Sequence, residues 1–119
     1  MNKINSFKDL TVWQKSFDLV LNVYKLTDGL PKIELYGLSD QMKRSATSIP
    51  SNIAEGSKRG SRKDFKQFVR VAYGSSAELE TQLLLAKELY NVDISNLISN
   101  LSDIQKMLSG LIKKLSTDN

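Results

Sequence analysis

Apolar residues along this chain recur at intervals of three and four, in four separate blocks. Leu10, Trp13, Phe17, Val20, Leu21 and Tyr24 trace one face of a helix over about 10–26. Asp9 stands where an N-cap would, and Gly29 and Pro31 close the segment. A second block begins near Ile33: Leu35, Met42 and Ile49 are seven apart, with Leu38, Ala46 and Ile53 interleaved. A third runs over 62–90. There Phe65, Ala72, Leu79 and Ala86 fill one heptad position, and Val69, Ser76, Leu83 and Tyr90 the other. The fourth, about 94–115, carries Leu97, Leu101, Ile104, Leu108, Leu111 and Leu115 at alternating fours and threes. Ser61 is placed to cap the third helix, Asn91 to end it, and Asp93 or Ser95 to cap the fourth.

The second block passes through Pro50 without changing phase. A loop there would reset the phase, so the pattern predicts one helix over 33–57, bent at Pro50. Proline removes a backbone donor and costs roughly 3 kcal/mol in a regular helix interior. Ser45, Thr47 and Ser48 are placed to bond the freed carbonyls. The alternative is a helix that stops near Thr47 and restarts with Pro50 in its first turn, where proline is accepted. "EGSKRGS" at 55–61 then breaks the chain.

Four amphipathic helices with short connections, and no strand alternation, predict an all-α domain over 1–119. Its architecture is an antiparallel up-down-up-down four-helix bundle. No stretch reaches the ~18 apolar residues of a membrane span. The opening lacks the apolar run of a signal peptide, so the expected compartment is the cytoplasm, with no membrane partner.

Charge changes the picture through its placement. Among the 119 residues, 17 Lys and Arg face 13 Asp and Glu, a net charge of +4. Residues 43–70 hold eight of the basic residues and only Glu55 and Asp64 against them. In the predicted topology the start of helix 1, the helix 2–3 turn and the end of helix 4 share one end. That end collects Lys3, Lys8, Lys58, Arg59, Arg62, Lys63, Lys66, Lys113 and Lys114, with Arg70 further along helix 3. The acidic residues there are Asp9, Glu55, Asp64 and Asp118. At ~1.5 Å per residue, helix 3 spans roughly 43 Å and helix 1 about 26 Å, so the helix 2–3 hairpin is expected to overhang its neighbours. Clustered cations suit phosphate backbone, which gives salt-dependent and largely sequence-independent affinity. A merely solvated basic surface is the competing reading.

A polar stripe accompanies the apolar one. Gln41, Arg44, Ser48, Asn52 and Glu55 lie at spacings of three and four on helix 2, with Ser75, Glu78 and Gln82 on helix 3. Folding the hairpin brings Arg44 opposite Ser75 and Glu78, so an Arg44–Glu78 ion pair inside a polar seam is expected. Such a seam fixes helix register or a subunit contact, since buried polar groups persist when paired; a ligand or RNA-backbone site is the alternative.

Catalytic chemistry has no foothold. Histidine and cysteine are both absent, which removes the commonest neutral-pH base, the commonest metal ligand and any disulfide. Di-metal bundles use Glu-x-x-His pairs that this chain lacks. There is no P-loop and no Gly-x-Ser-x-Gly. No catalytic residue, metal site or cofactor is assigned.

Apolar residues also exceed what one core needs. "LLL" at 83–85 cannot face a single direction, because neighbours on a helix point about 100° apart. Phe68 and Val71 on helix 3, Ile98 and Ile112 on helix 4, and Val12 and Leu19 on helix 1 lie beside the main stripes. A second buried face, hence a homo-oligomer, is expected.

Three segments then carry a resemblance: "FKDLTVWQKSFDLVLNVYKLTDGLP" at 7–31, "LYGLSDQMKRSATSIPSNIAEGSKRGS" at 35–61 and "DFKQFVRVAYGSSAELETQL" at 64–83. They resemble the four-helix-bundle proteins encoded within intervening sequences of bacterial 23S ribosomal RNA genes. The resemblance implies an antiparallel bundle, often a five-membered ring. It also implies similarity to the accessory variability determinant of diversity-generating retroelements, a basic pentamer that binds nucleic acid and a reverse transcriptase. Gln41, Arg44, Ser48, Pro50, Asn52, Glu55, Gly56, Ser75 and Glu78 match the family motif, which assigns them no catalytic role. The expected function is that of a non-enzymatic oligomeric bundle binding RNA or DNA backbone through its basic end. The alternative is a protein-interaction scaffold whose cations only keep it soluble.

Overall fold

A computed structural model describes residues 6–117. Four α-helices follow one another: α1, Thr11–Asp28; α2, Leu38–Ser57; α3, Arg62–Tyr90; and α4, Ser95–Ser116. Short 3₁₀ turns at Phe7–Asp9 and Lys32–Glu34 precede α1 and α2. Among the described residues there is no strand. The helices pack α1 on α2, α2 on α3, α3 on α4 and α4 back on α1, leaving the diagonal pairs apart. This closed square is the up-down-up-down bundle, 49 Å along its axis and 23 Å across.

The caps follow the sequence at α3. Ser61 accepts the Asp64 amide at 3.1 Å, and Asn91 closes the helix in the left-handed region at φ 55°. At α4, Asp93 accepts both the amide and the hydroxyl of Ser95. Asp9 does not cap α1; it belongs to the preceding 3₁₀ turn, whose own cap is Ser6. α2 begins at Leu38, five residues later than the periodicity predicts. Pro31 directs the chain into a 3₁₀ turn, and Glu34 reaches forward to accept the Leu38 amide at 2.9 Å. Leu35 is consequently exposed rather than part of the core.

α2 runs unbroken through Pro50, whose ring is buried. A stop near Thr47 does not occur. Ser48 uses its hydroxyl across the bundle on Ser75 rather than on a freed carbonyl, while Asn52 donates to the Ser48 carbonyl at 2.8 Å.

The core lies between all four helices. Met42, Ile49 and Ile53 of α2 meet Val69, Leu79 and Leu83 of α3 and Leu101, Ile104 and Leu108 of α4. α2 and α3 both bury small residues, Ser45, Ala46 and Gly56 on α2 and Ala72, Ser75 and Ser76 on α3. A Cβ on Gly56 would stand 2.6 Å from the Phe68 Cβ, so glycine is what lets the two helices close on their connection. Gly60, in that connection, has φ +91° and no neighbour within 4 Å; it is there for the turn.

α1 is rotated from expectation. Val12, Ser16, Leu19, Val23 and Thr27 point inward and Leu10, Trp13 and Val20 pack half-buried beside them, whereas Phe17, Leu21 and Tyr24 are about half exposed. The inward hydroxyls are satisfied within the helix, Ser16 on the Val12 carbonyl at 2.6 Å and Thr27 on the Tyr24 carbonyl at 2.9 Å. Val12 and Leu19, assigned to a second face from the sequence, are core residues.

Candidate nucleic-acid interface

The basic end is assembled by the bundle topology. Lys58 and Arg59 leave α2, Arg62 and Lys63 open α3, and Lys113 and Lys114 close α4. Arg62 donates to the Lys114 carbonyl at 2.6 Å, so the start of α3 and the end of α4 meet directly. Arg62 thereby adds a charged donor to a carbonyl that also accepts the Thr117 hydroxyl at 2.8 Å, and sets positive charge at the negative end of the α4 dipole. Lys63, Lys66 and Arg70 continue along α3 at spacings of three and four, Lys66 half-buried and the others exposed. Lys3 and Asp118 lie outside the described residues.

The same bond ties the start of α3 to the end of α4. At the other end, the Tyr90 hydroxyl at the close of α3 donates to Glu34 in the turn before α2, and Ile94 ahead of α4 is buried.

Acidic residues offset little of this charge. Glu55 pairs with Arg59 at 2.7 Å, and the Arg59 guanidinium also lies over the Phe68 ring, 4.7 Å from its centroid. Asp64 occupies the first turn of α3, where an anion is favoured by the helix dipole. Among the described residues, Lys58, Lys63, Lys66, Arg70, Lys113 and Lys114 make no salt bridge.

Between these cations lies a depression of about 460 Å³. Leu10, Phe65, Leu111 and Leu115 form its apolar floor, and Arg62 and Lys114 stand at its rim. The periodicity marks those four apolar residues as core; it does not show that they are half-buried at the bundle end.

The polar seam forms only in its middle. Ser48 and Ser75 hydrogen-bond at 2.8 Å, and Asn52 donates to the Ser48 hydroxyl at 2.9 Å. The Arg44–Glu78 ion pair is absent. Arg44 instead bonds Asp40, one turn back on its own helix, at 2.9 Å with its side chain 79% exposed. Glu78 and Gln41 are exposed, and Glu55 is taken by Arg59. Gln82 contributes a buried Oε1 with no partner among the described residues. A short local bond is available to Arg44 without desolvating a charge pair between helices, which is why the cross-helix pair loses.

The second apolar face is a groove between α1 and α2, about 320 Å³ in volume. Trp13, Phe17, Val20 and Leu21 line one side and Pro50 and Ala54 the other. Trp13 packs on Phe17 with ring centroids 5.1 Å apart. On α3, Val71, Leu85 and Leu89 are also exposed.

The family model for the 23S rRNA-intervening sequence protein matches residues 8–110. The chain belongs to that family. A crystal structure from Bacteroides thetaiotaomicron, described as a protein with unknown function from the S23 ribosomal protein family, has the same fold. It superposes with a TM-score of 0.77 at 27% identity, over 87% of this chain and 99% of that one. No curated protein matches the chain. The 23S rRNA-intervening sequence family is thus one of four-helix bundles without an assigned biochemical role. In this member, no group of three potential metal ligands exists and no helix is long and apolar enough to cross a membrane, among the described residues.

Proposed function

We propose that this protein is a non-enzymatic, self-associating bundle that binds the phosphate backbone of RNA or DNA through the end formed by the α2–α3 connection and the α4 terminus. The observation that carries the reading is the joining of Arg62 to the Lys114 carbonyl, which brings cations from distant parts of the chain to one end. Lys58, Lys63 and Lys113 extend that surface, and Lys66 and Arg70 prolong it along α3. Six of these cations have no acidic partner among the described residues, so their charge is available to a polyanion.

Self-association rests on the apolar faces. The α1–α2 groove and the exposed Val71, Leu85 and Leu89 of α3 belong to different helices, so one copy can offer its α3 residues to the groove of the next. Such a contact is head-to-tail and closes into a ring when the rotation allows. Several copies would present several basic ends to one strand and gain avidity.

Titration of a structured RNA and a DNA duplex at several salt concentrations tests the reading. Affinity that falls steeply with salt supports it; no binding at low salt leaves the interaction-scaffold reading in its place.

A further inference from the structure

The geometry points to a preference for unpaired nucleotides: the depression among the cations takes a nucleobase while the surrounding Lys and Arg hold its flanking phosphates. This rests on the phosphate-binding reading above and adds a base to it.

A surface that only followed phosphate would need charge and nothing else. Here two cations, Arg62 and Lys114, flank an apolar floor, Leu10, Phe65, Leu111 and Leu115, contributed by the segment before α1, by α3 and by α4. The volume of about 460 Å³ falls in the range of small-molecule sites, ~300–1,000 Å³. Apolar residues left half-exposed beside Arg62 and Lys114 favour a ligand that is flat and apolar on its faces and anionic at its edge. An unpaired nucleotide has that chemistry. A base in a duplex does not, because its faces are stacked and only the backbone reaches the protein; unpaired bases in loops and single strands can be splayed onto a protein surface. Arg62 spends one nitrogen on the Lys114 carbonyl, which orients its guanidinium at the rim and leaves other donors for a phosphate.

Fluorescence anisotropy at one low salt concentration, on the full chain, separates the possibilities. The probes are a short uridine-rich RNA strand, the same strand with abasic sites at alternate positions, and a duplex of the same length. The intact strand should bind roughly tenfold tighter than the abasic strand, the loss of one or two apolar base contacts. 2-Aminopurine placed in the intact strand should change its emission on binding. That change should vanish in Leu115→Gln, provided circular dichroism shows that the variant keeps its helices; in the native chain the emission change stands as evidence on its own. Equal, salt-dependent binding of all three probes overturns this inference and leaves phosphate binding standing. Unchanged emission in the native complex also overturns it, as does an acidic peptide that binds as tightly as the intact strand. Failure of every nucleic acid to bind removes both readings.

Discussion

Arg62 at the start of α3 and Lys114 at the end of α4 are joined through a 2.6 Å hydrogen bond from the guanidinium to the backbone carbonyl. Fifty-two positions of chain separate them. The bond ties the two helix ends together and holds the guanidinium beside the apolar depression. An Arg62→Lys substitution keeps the charge and loses the planar fork. Helix α4 should fray at its last turn, seen as faster amide exchange around 112–116, with helix content otherwise intact.

Gly56 and Gly74 are both helical and should respond oppositely to alanine. A Cβ at Gly56 would meet the Phe68 Cβ at 2.6 Å and the Phe65 ring at 3.0 Å, so Gly56→Ala forces α2 and α3 apart. Overpacking of this kind costs about 1–3 kcal/mol. Gly74 has open space around its Cβ position, and Gly74→Ala should stabilise by about 0.5–1 kcal/mol through helix propensity. Urea denaturation of the two variants checks both signs.

Ser48 and Ser75 hold the one formed part of the seam. A double-mutant cycle with alanine at both positions should give a coupling of about 0.5–1.5 kcal/mol in denaturant unfolding. Arg44→Ala, by contrast, removes an exposed pair with Asp40 and should change stability by less than about 1 kcal/mol. A cycle of Arg44 with Glu78 should be additive.

Four helices and their core residues were legible because the apolar spacing of three and four persists for several turns in each. Met42, Ile49, Leu79, Leu83, Leu101 and Leu108 all fall where the period places them. The face of α1 was not legible. Its exposed apolar residues, Phe17, Leu21 and Tyr24, are more aromatic than its inward stripe, where Ser16 and Thr27 hide their hydroxyls on carbonyls of their own helix. Periodicity reports that a helix has apolar faces; it does not say which one meets the core. The start of α2 was misplaced because Ile33 and Leu35 continue the period through a turn that Pro31 and Gly37 keep out of the helix. The basic end was legible from topology, since the up-down-up-down order puts Arg62 beside Lys114. The Arg44–Glu78 pair failed because facing positions were known and side-chain competition was not; Asp40 is simply nearer.

Tyr90 donates to Glu34, which also accepts the Leu38 amide; both bonds hold the Glu34 carboxyl below its usual 4.5. The same bond to Glu34 raises the Tyr90 phenol above 10.0. The carboxylate form of Glu34 is favoured by folding, so its contribution is present above about 4.5 and is lost as pH falls through the lowered value. The neutral phenol is favoured by folding, so its contribution is present below 10.0 and is lost as pH rises through the raised value. The stability difference between the native chain and Tyr90→Phe should therefore be largest between these limits and shrink in acid. Chemical denaturation of both at neutral pH and near pH 3 measures it.

Phe17 and Leu21 line the α1–α2 groove without reaching the core, so Phe17→Ser combined with Leu21→Ser should leave the bundle folded. Light scattering should give more than one chain's mass for the native protein and a lower mass for the variant. A native mass of one chain contradicts self-association.

The account rests above all on the basic end meeting phosphate. The direct measurement is the slope of log affinity against log salt for an RNA strand, in the native chain and in the triple variant Lys58→Gln, Lys63→Gln, Lys113→Gln, whose positions are exposed and make no salt bridge among the described residues. Each phosphate contact contributes about 0.7 to the slope for a single strand, so the variant should bind more weakly with a slope shallower by up to about 2. A native affinity indifferent to salt, or a triple variant that binds like the native chain, contradicts it.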